Sequence, residues 1–178
     1  MQQRGEKMKT CAFIGHRPDK MPWGNDENGP EGILFKFRLR EAIEYLIGRG
    51  FTDFLSGGAL GFDQIAAEIV LNLRDEKYPW LQLIMICPWN GQADKWTAEQ
   101  RLRWQGILEA SDKVIYISDH YEKSVFFKRN HYLVENADRI LAAYNGDPHS
   151  GTGMIVRYAH QKGVKVSILT PEKRIVSA

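Results

Sequence analysis

Short apolar runs alternate along the chain with stretches in which apolar positions recur every three to four residues. TCAFIGH (residues 10–16) reads as a strand. Phe35, Leu39, Ala42, Ile43, Leu46 and Ile47 then share one helical face, and Gly48 and Gly50 stop that helix. FTDFLS (51–56) predicts a second strand, and Ile65, Ala66, Ile69, Val70 and Leu73 stripe a second helix. LQLIMICP (81–88) is continuously apolar, as expected of a strand covered on both faces. The pattern continues with a helix from about Ala93 to Leu108, a strand at 113–118, a helix at 125–135 and a strand at 139–145. A helix at 152–161, stopped by Gly163, and a strand at 164–169 complete it.

Such regular alternation predicts an α/β fold. The expected form is Rossmann-like and doubly wound, a mainly parallel sheet of about six strands with helices on both faces. One domain spans residues 10–178, and the polar residues 1–9 read as a frayed extension. The longest irregular segment, residues 17–32, carries three prolines and three glycines. A loop of that length in a compact domain is more often functional than idle.

Composition narrows the function classes. The 178 residues suit one domain, and a formal charge of +2 gives no broad basic field for duplex DNA. Cys11 and Cys87 both fall in expected strands and read as reduced core thiols. No Cys/His cluster has metal-ligand spacing, so no metal is expected. No apolar run approaches the ~20 residues that span a bilayer, and no signal-peptide pattern opens the chain. A cytoplasmic protein without a membrane partner is expected, and a homo-oligomer is left open.

Ligands of open parallel sheets sit outside the carboxyl ends of the strands. Polar and glycine residues concentrate there: Gly15-His16-Arg17, Ser56-Gly57-Gly58, Pro88-Trp89-Asn90 and Ser150-Gly151-Thr152-Gly153. SGGALG (56–61) resembles G-x-G-x-x-G with serine in first place. Gly58 and Gly61 would then allow close phosphate approach, and Ser56 would donate to it. No Lys-Ser/Thr follows, which excludes a P-loop, and no acid ends the next strand, which removes the usual ribose ligand of NAD enzymes. Asp63 stands in the first turn of the next helix, where it either steadies the dipole or binds a sugar hydroxyl. Glu68, beyond that turn, reads as solvated or ion-paired.

Arg17 can clamp a phosphate bidentately, or pair with a rim carboxylate such as Asp19 or Asp63. His16 reads as a hydrogen-bonding residue rather than a general base. Residues 149–153, HSGTG, repeat the glycine-plus-hydroxyl chemistry at another helix start, with Thr152 as the expected N-cap. Trp23 and Trp89 can stack on a base or simply pack, and Trp96 reads as packing. Lys123, Lys128, Arg129, Asn130 and His131 form a basic-polar group, which is either a solvated helix face or one from which Arg129 and Asn130 reach over the crevice.

With these residues in place, the chain resembles the SLOG superfamily, in its DUF1273 (YpsA-like) branch. The matching pieces are IGHRPDK (14–20), LSGGALGFDQIAAE (55–68), CPWNGQADKW (87–96), FKRNHYLVENADRILAAYNG (127–146) and SGTGMIVRYAHQKGVKV (150–166). The resemblance extends to the LOG lysine-decarboxylase-like enzymes and to DprA. It implies a small nucleotide-like ligand, with a nucleotide, ADP-ribose or an NAD-like molecule as candidates and no cofactor required. It carries Gly57, Gly58, Gly61 and Asp63, with Gly151, Thr152 and Gly153, into the pocket. It does not carry catalysis: LOG enzymes use PGGxGTxxE, whereas HSGTGMIV here puts Ile155 and Val156 where the glutamate is needed. A sensor or regulatory binding domain is expected. The alternatives are a nucleotide N-glycosidase, with Asp63 as the one rim carboxylate to nominate, and a DprA-like single-strand nucleic-acid binder.

Overall fold

The computed structural model describes residues 7–171. Among them, strands and helices alternate as β1 (Lys9–Gly15), α1 (Pro30–Ile47), β2 (Phe51–Ser56), α2 (Phe62–Glu76), β3 (Gln82–Cys87) and α3 (Ala98–Ala110). Then follow β4 (Lys113–Tyr116), α4 (Val125–Glu135), β5 (Arg139–Ala143), α5 (Gly151–Gln161) and β6 (Lys165–Leu169). The expected extension at residues 1–9 falls mostly outside the described residues, and Lys9 already belongs to β1.

All five strand pairings are parallel, in the order β4-β3-β2-β1-β5-β6. Side chains of a strand point alternately to its two faces, and the core divides accordingly. Cys11, Phe13, Phe54, Leu83, Met85 and Leu141 meet α1, α2 and α3 in one cluster. Ala12, Ile14, Leu55, Ile86, Ile140 and Ala142 meet α4 and α5 in the other. Both faces are thus covered, which is why the strands read as unbroken apolar runs.

Most boundaries fall within two residues of the sequence expectation, and two helix starts differ by more. Helix α1 begins at Pro30, whose fixed φ suits a first helical position, so the irregular loop is shorter than expected. Helix α3 begins at Ala98 rather than near Ala93. Thr97 Oγ1 accepts from the Gln100 N–H (3.2 Å) and Gln100 Oε1 accepts from the Thr97 N–H (3.0 Å), a reciprocal cap that sets the start.

After building outward from β1 to β4, the chain crosses by α4 to the other face and lays β5 against β1. Order reverses between β1 and β5. The segments leaving their carboxyl ends go to opposite faces, and a crevice opens between them.

Candidate functional site

A cavity of about 290 Å³ lies at this switch point. Its walls come from the end of β1 (Gly15, His16, Arg17), the 3₁₀ turn after it (Asp19, Lys20), Ala59 and Asp63, α4 (Phe126, Arg129, Asn130) and the start of α5 (Ser150, Gly151, Thr152).

His16 ties two walls together. Its Nε2 accepts from the Asn145 N–H (3.2 Å), which places the ring proton on Nδ1, where Thr152 Oγ1 lies at 3.2 Å. With both nitrogens engaged, His16 orients the crevice and has none left over to act as a base. Thr152 is therefore not the N-cap. Ser150 fills that position: its hydroxyl accepts from the Gly153 N–H (3.0 Å) and donates to the Asp147 carbonyl (2.8 Å). The N–H groups of Gly151 and Thr152 have no acceptor among the described residues and stand at the crevice wall.

Arg129 projects inward rather than over the crevice, and it is only 5% exposed. Its Nη1 donates to the Gly57 carbonyl (2.6 Å) and its Nε to Asn130 Oδ1 (2.9 Å). Nη2 has no partner among the described residues, and Arg129 lines the cavity. A buried cation with a spare donor is a strong anion ligand. Arg17 is exposed and forms no ion pair with Asp19 or Asp63, so the pairing alternative does not hold. Its guanidinium stands over the Phe126 ring at 5.9 Å. Lys20, in the same wall, is likewise without an ion pair among the described residues.

Asp63 shares this space. Its Oδ2 accepts from the Ala59 N–H (3.3 Å), so it steadies its own turn while facing the cavity. Burial pushes the carboxyl up from 3.8 to about 6, against the pull of Arg129, the Ala59 N–H and Arg17. Burial also lowers Arg129, against the attraction of Asp63. Both shifts run against charge, so mutual attraction does not offset desolvation here.

The SGGALG turn corrects the expectation of a phosphate cradle. Ser56 is wholly buried, donating to the Asp63 carbonyl (2.9 Å) and accepting from the Gly58 N–H (3.3 Å). The Gly57 carbonyl takes Arg129 and Gln92, and a Cβ on Gly57 would strike the Arg129 guanidinium. Gly58 and Gly61 have φ of 68° and 89°, the left-handed region that glycine favours. A Cβ on Gly58 would lie 3.0 Å from Met85, and one on Gly61 3.0 Å from the His16 carbonyl and from Pro18. Gly15 is bare for a similar reason, because a Cβ there would fall on the Phe62 ring.

Other expected residues also turn away. Pro88 binds through its carbonyl to the Ser118 N–H (3.0 Å), and Trp89 packs edge-on against Tyr121 and Phe126. Gly153 fits against the Asp147 and Pro148 backbone. Trp23 packs on Phe35, and Trp96 on Trp104. Glu68 is ion-paired, as expected, to Arg103 (2.7 Å). Arg103 also holds Glu27 (2.8 Å) and so fastens the long loop that carries Arg17 and Lys20. The basic-polar group is not a patch: Lys128 pairs with Glu122 (2.7 Å) and His131 stacks on Tyr158.

Lys20 and Phe126 were missed as wall residues. A basic side chain three places after Arg17 in a functional-looking loop was the available signal for Lys20. Phe126 carried none. Both thiols are buried, unpaired with each other and pushed up by burial to about 12.

A family model described as the YspA SLOG family matches residues 11–174. The chain belongs to the YspA SLOG family. Among curated relatives of this SLOG chain, a UPF0398 protein of Bacillus thuringiensis (strain Al Hakam) is 31% identical over 159 residues, 88% of this chain and 85% of that one. A UPF0398 protein of Bacillus pumilus (strain SAFR-032) is 32% identical over 148 residues, 82% of this chain and 77% of the relative. Among solved structures, DNA processing protein A from Helicobacter pylori superposes with a TM-score of 0.60 at 22% identity, covering 94% of this chain and 67% of that one. That Helicobacter pylori protein binds single-stranded DNA. The likeness establishes the shared fold. No described helix is long and apolar enough to cross a membrane.

Proposed function

We propose that this SLOG domain binds a small nucleotide-like phosphate ester in the β1/β5 crevice and acts as a sensor or regulator. The observation that carries it is convergence: buried Arg129 with its spare Nη2, Arg17, and Gly151 and Thr152 with N–H groups that have no acceptor among the described residues all line one cavity. A helix N-terminus with free donors favours an anion. Family membership and the fold shared with a DNA-binding protein support a nucleotide or nucleic-acid ligand in general. The small volume of the crevice and a formal net charge of only +2 favour the small ligand. Calorimetry with AMP, ADP-ribose and NAD tests this. At least one binds, and Arg17→Ala weakens it about tenfold or more, the loss of a charge-assisted contact. Failure of all three to bind sinks the reading.

Asp63 favours one second reading, an N-glycosidase. A carboxyl with a pKa near 6 facing a phosphate site has the poise of a general acid. Chromatography of incubated AMP would then show free adenine and ribose 5-phosphate. An unchanged rate in Asp63→Asn, or no product at all, rejects it.

A further inference from the structure

A second concavity, of about 490 Å³, runs between α4 and α5. Phe127 and His131 line it from α4, and Met154, Ile155 and Tyr158 from α5. Phe127 and Met154 are 58% and 54% exposed, and they line one concavity from two adjacent helices. The Phe127 and His131 ring centroids lie 3.8 Å apart, and those of His131 and Tyr158 3.7 Å, so the rings form a stacked wall. No carboxylate lines the groove, and the Arg157 side chain is turned back onto the Pro148 carbonyl.

The groove is continuous with the crevice. Asn130, Gly151 and Ile155 line both. Gly151 forms the saddle between them, and a Cβ there would meet no atom within 4 Å. The crevice alone sits at the bottom of the range of about 300–1,000 Å³ typical of ligand pockets. It has room for a phosphate and a sugar. The neighbouring groove offers what a base needs: the exposed Phe127 ring at the end of the stack, a thioether, and amides at Asn130 and Gln161 for the ring edge.

Resting on the phosphate reading of the crevice, we propose that the α4–α5 groove is the other half of the same site. It takes the flat base of a nucleoside monophosphate, whose sugar crosses Gly151 and whose phosphate meets Arg17, Arg129 and the start of α5.

Calorimetry with AMP and ribose 5-phosphate separates the two halves. On the unmodified protein AMP binds more tightly, by about tenfold or more, the scale of one stacked base. The double variant Phe127→Ala/Met154→Ala erases that advantage and leaves ribose 5-phosphate unchanged. Circular dichroism and the melting temperature verify its fold, and Met154→Gln gives the same loss in smaller measure should the double variant not fold. Equal affinities in the unmodified protein, or an advantage that survives the double variant, overturn the groove assignment and leave the phosphate crevice standing. Failure of both ligands to bind overturns both. A dimer that dissociates in the double variant, with the AMP advantage intact, assigns the groove to a second copy and likewise overturns the proposal.

Discussion

Two glycine turns join strand to helix at this rim, and they do opposite work. Ser56 to Gly61 looks more like a phosphate fingerprint, yet its glycines admit protein: Met85 and Trp104 at Gly58, the His16 carbonyl and Pro18 at Gly61. Its hydroxyl and several of its backbone groups are engaged internally. Ser150 to Gly153 is plainer in sequence, yet Gly151 faces open space and keeps its N–H free. The difference comes from position in the sheet. Both turns follow interior strands, but the first lies under the β1 exit, whose His16 carbonyl accepts from the Phe62 N–H and packs at Gly61. The second follows β5, across the switch point from β1, and only the His16 ring reaches it. A glycine turn can admit a ligand only where the packing of the surrounding segments leaves space beside it.

The sharpest way to break this contrast is to place side chains on both turns. Gly61→Val sets a β-branched residue at φ 89° against the His16 carbonyl, and should cost about 3 kcal/mol or more in chemical denaturation. A variant that stays near wild-type stability would show that the turn is not packed shut.

Asp63 tests the cost of charge between the turns. Folding raises its pKa from 3.8 to about 6, so the folded state holds its proton more tightly. Stability should fall as pH rises through that window, and the penalty should be complete above it. Asp63→Asn removes the slope and stabilises the protein above pH 6 by at most roughly 3 kcal/mol, less what Arg129 loses with its attractive neighbour. Denaturation midpoints across that range check the sign. Binding of sulfate, whose own charge is constant there, should weaken over the same interval as the carboxylate ionises.

Arg17→Ala should leave stability within about 0.5 kcal/mol, because the residue is exposed and forms no ion pair among the described residues, while lowering phosphate-ester affinity about tenfold. Thermal melts and calorimetry on one sample separate the effects. Smallest of all, Gly151→Ala should shift stability by no more than about 0.5 kcal/mol and retain phosphate binding, because the N–H remains and the Cβ meets nothing.

Much of the fold was legible because it is local. Strand and helix periods predicted every described strand and α-helix, and β2 and α4 matched to the residue. The capping box at Thr97 and Gln100 is also present in the sequence, but the helix-like spacing of Ala93 and Trp96 just before it hides it. The site was legible in outline, with His16, Arg17, Asp63, Asn130 and Gly151 all at the cavity. What could not be read was strand order, a nonlocal property that decides which glycine turn is buried. Arg129 was misjudged for the same reason. One basic residue among several on a helix shows nothing locally of the Gly57 carbonyl, 72 residues away, that draws it inward.

Amide chemical shifts during titration with ribose 5-phosphate decide between the two turns. Large, saturating shifts are expected at Gly151 and Thr152, with Gly58 and Gly61 nearly still. Shifts concentrated at Gly58 and Gly61, with Gly151 and Thr152 unmoved, would contradict a site at the second turn.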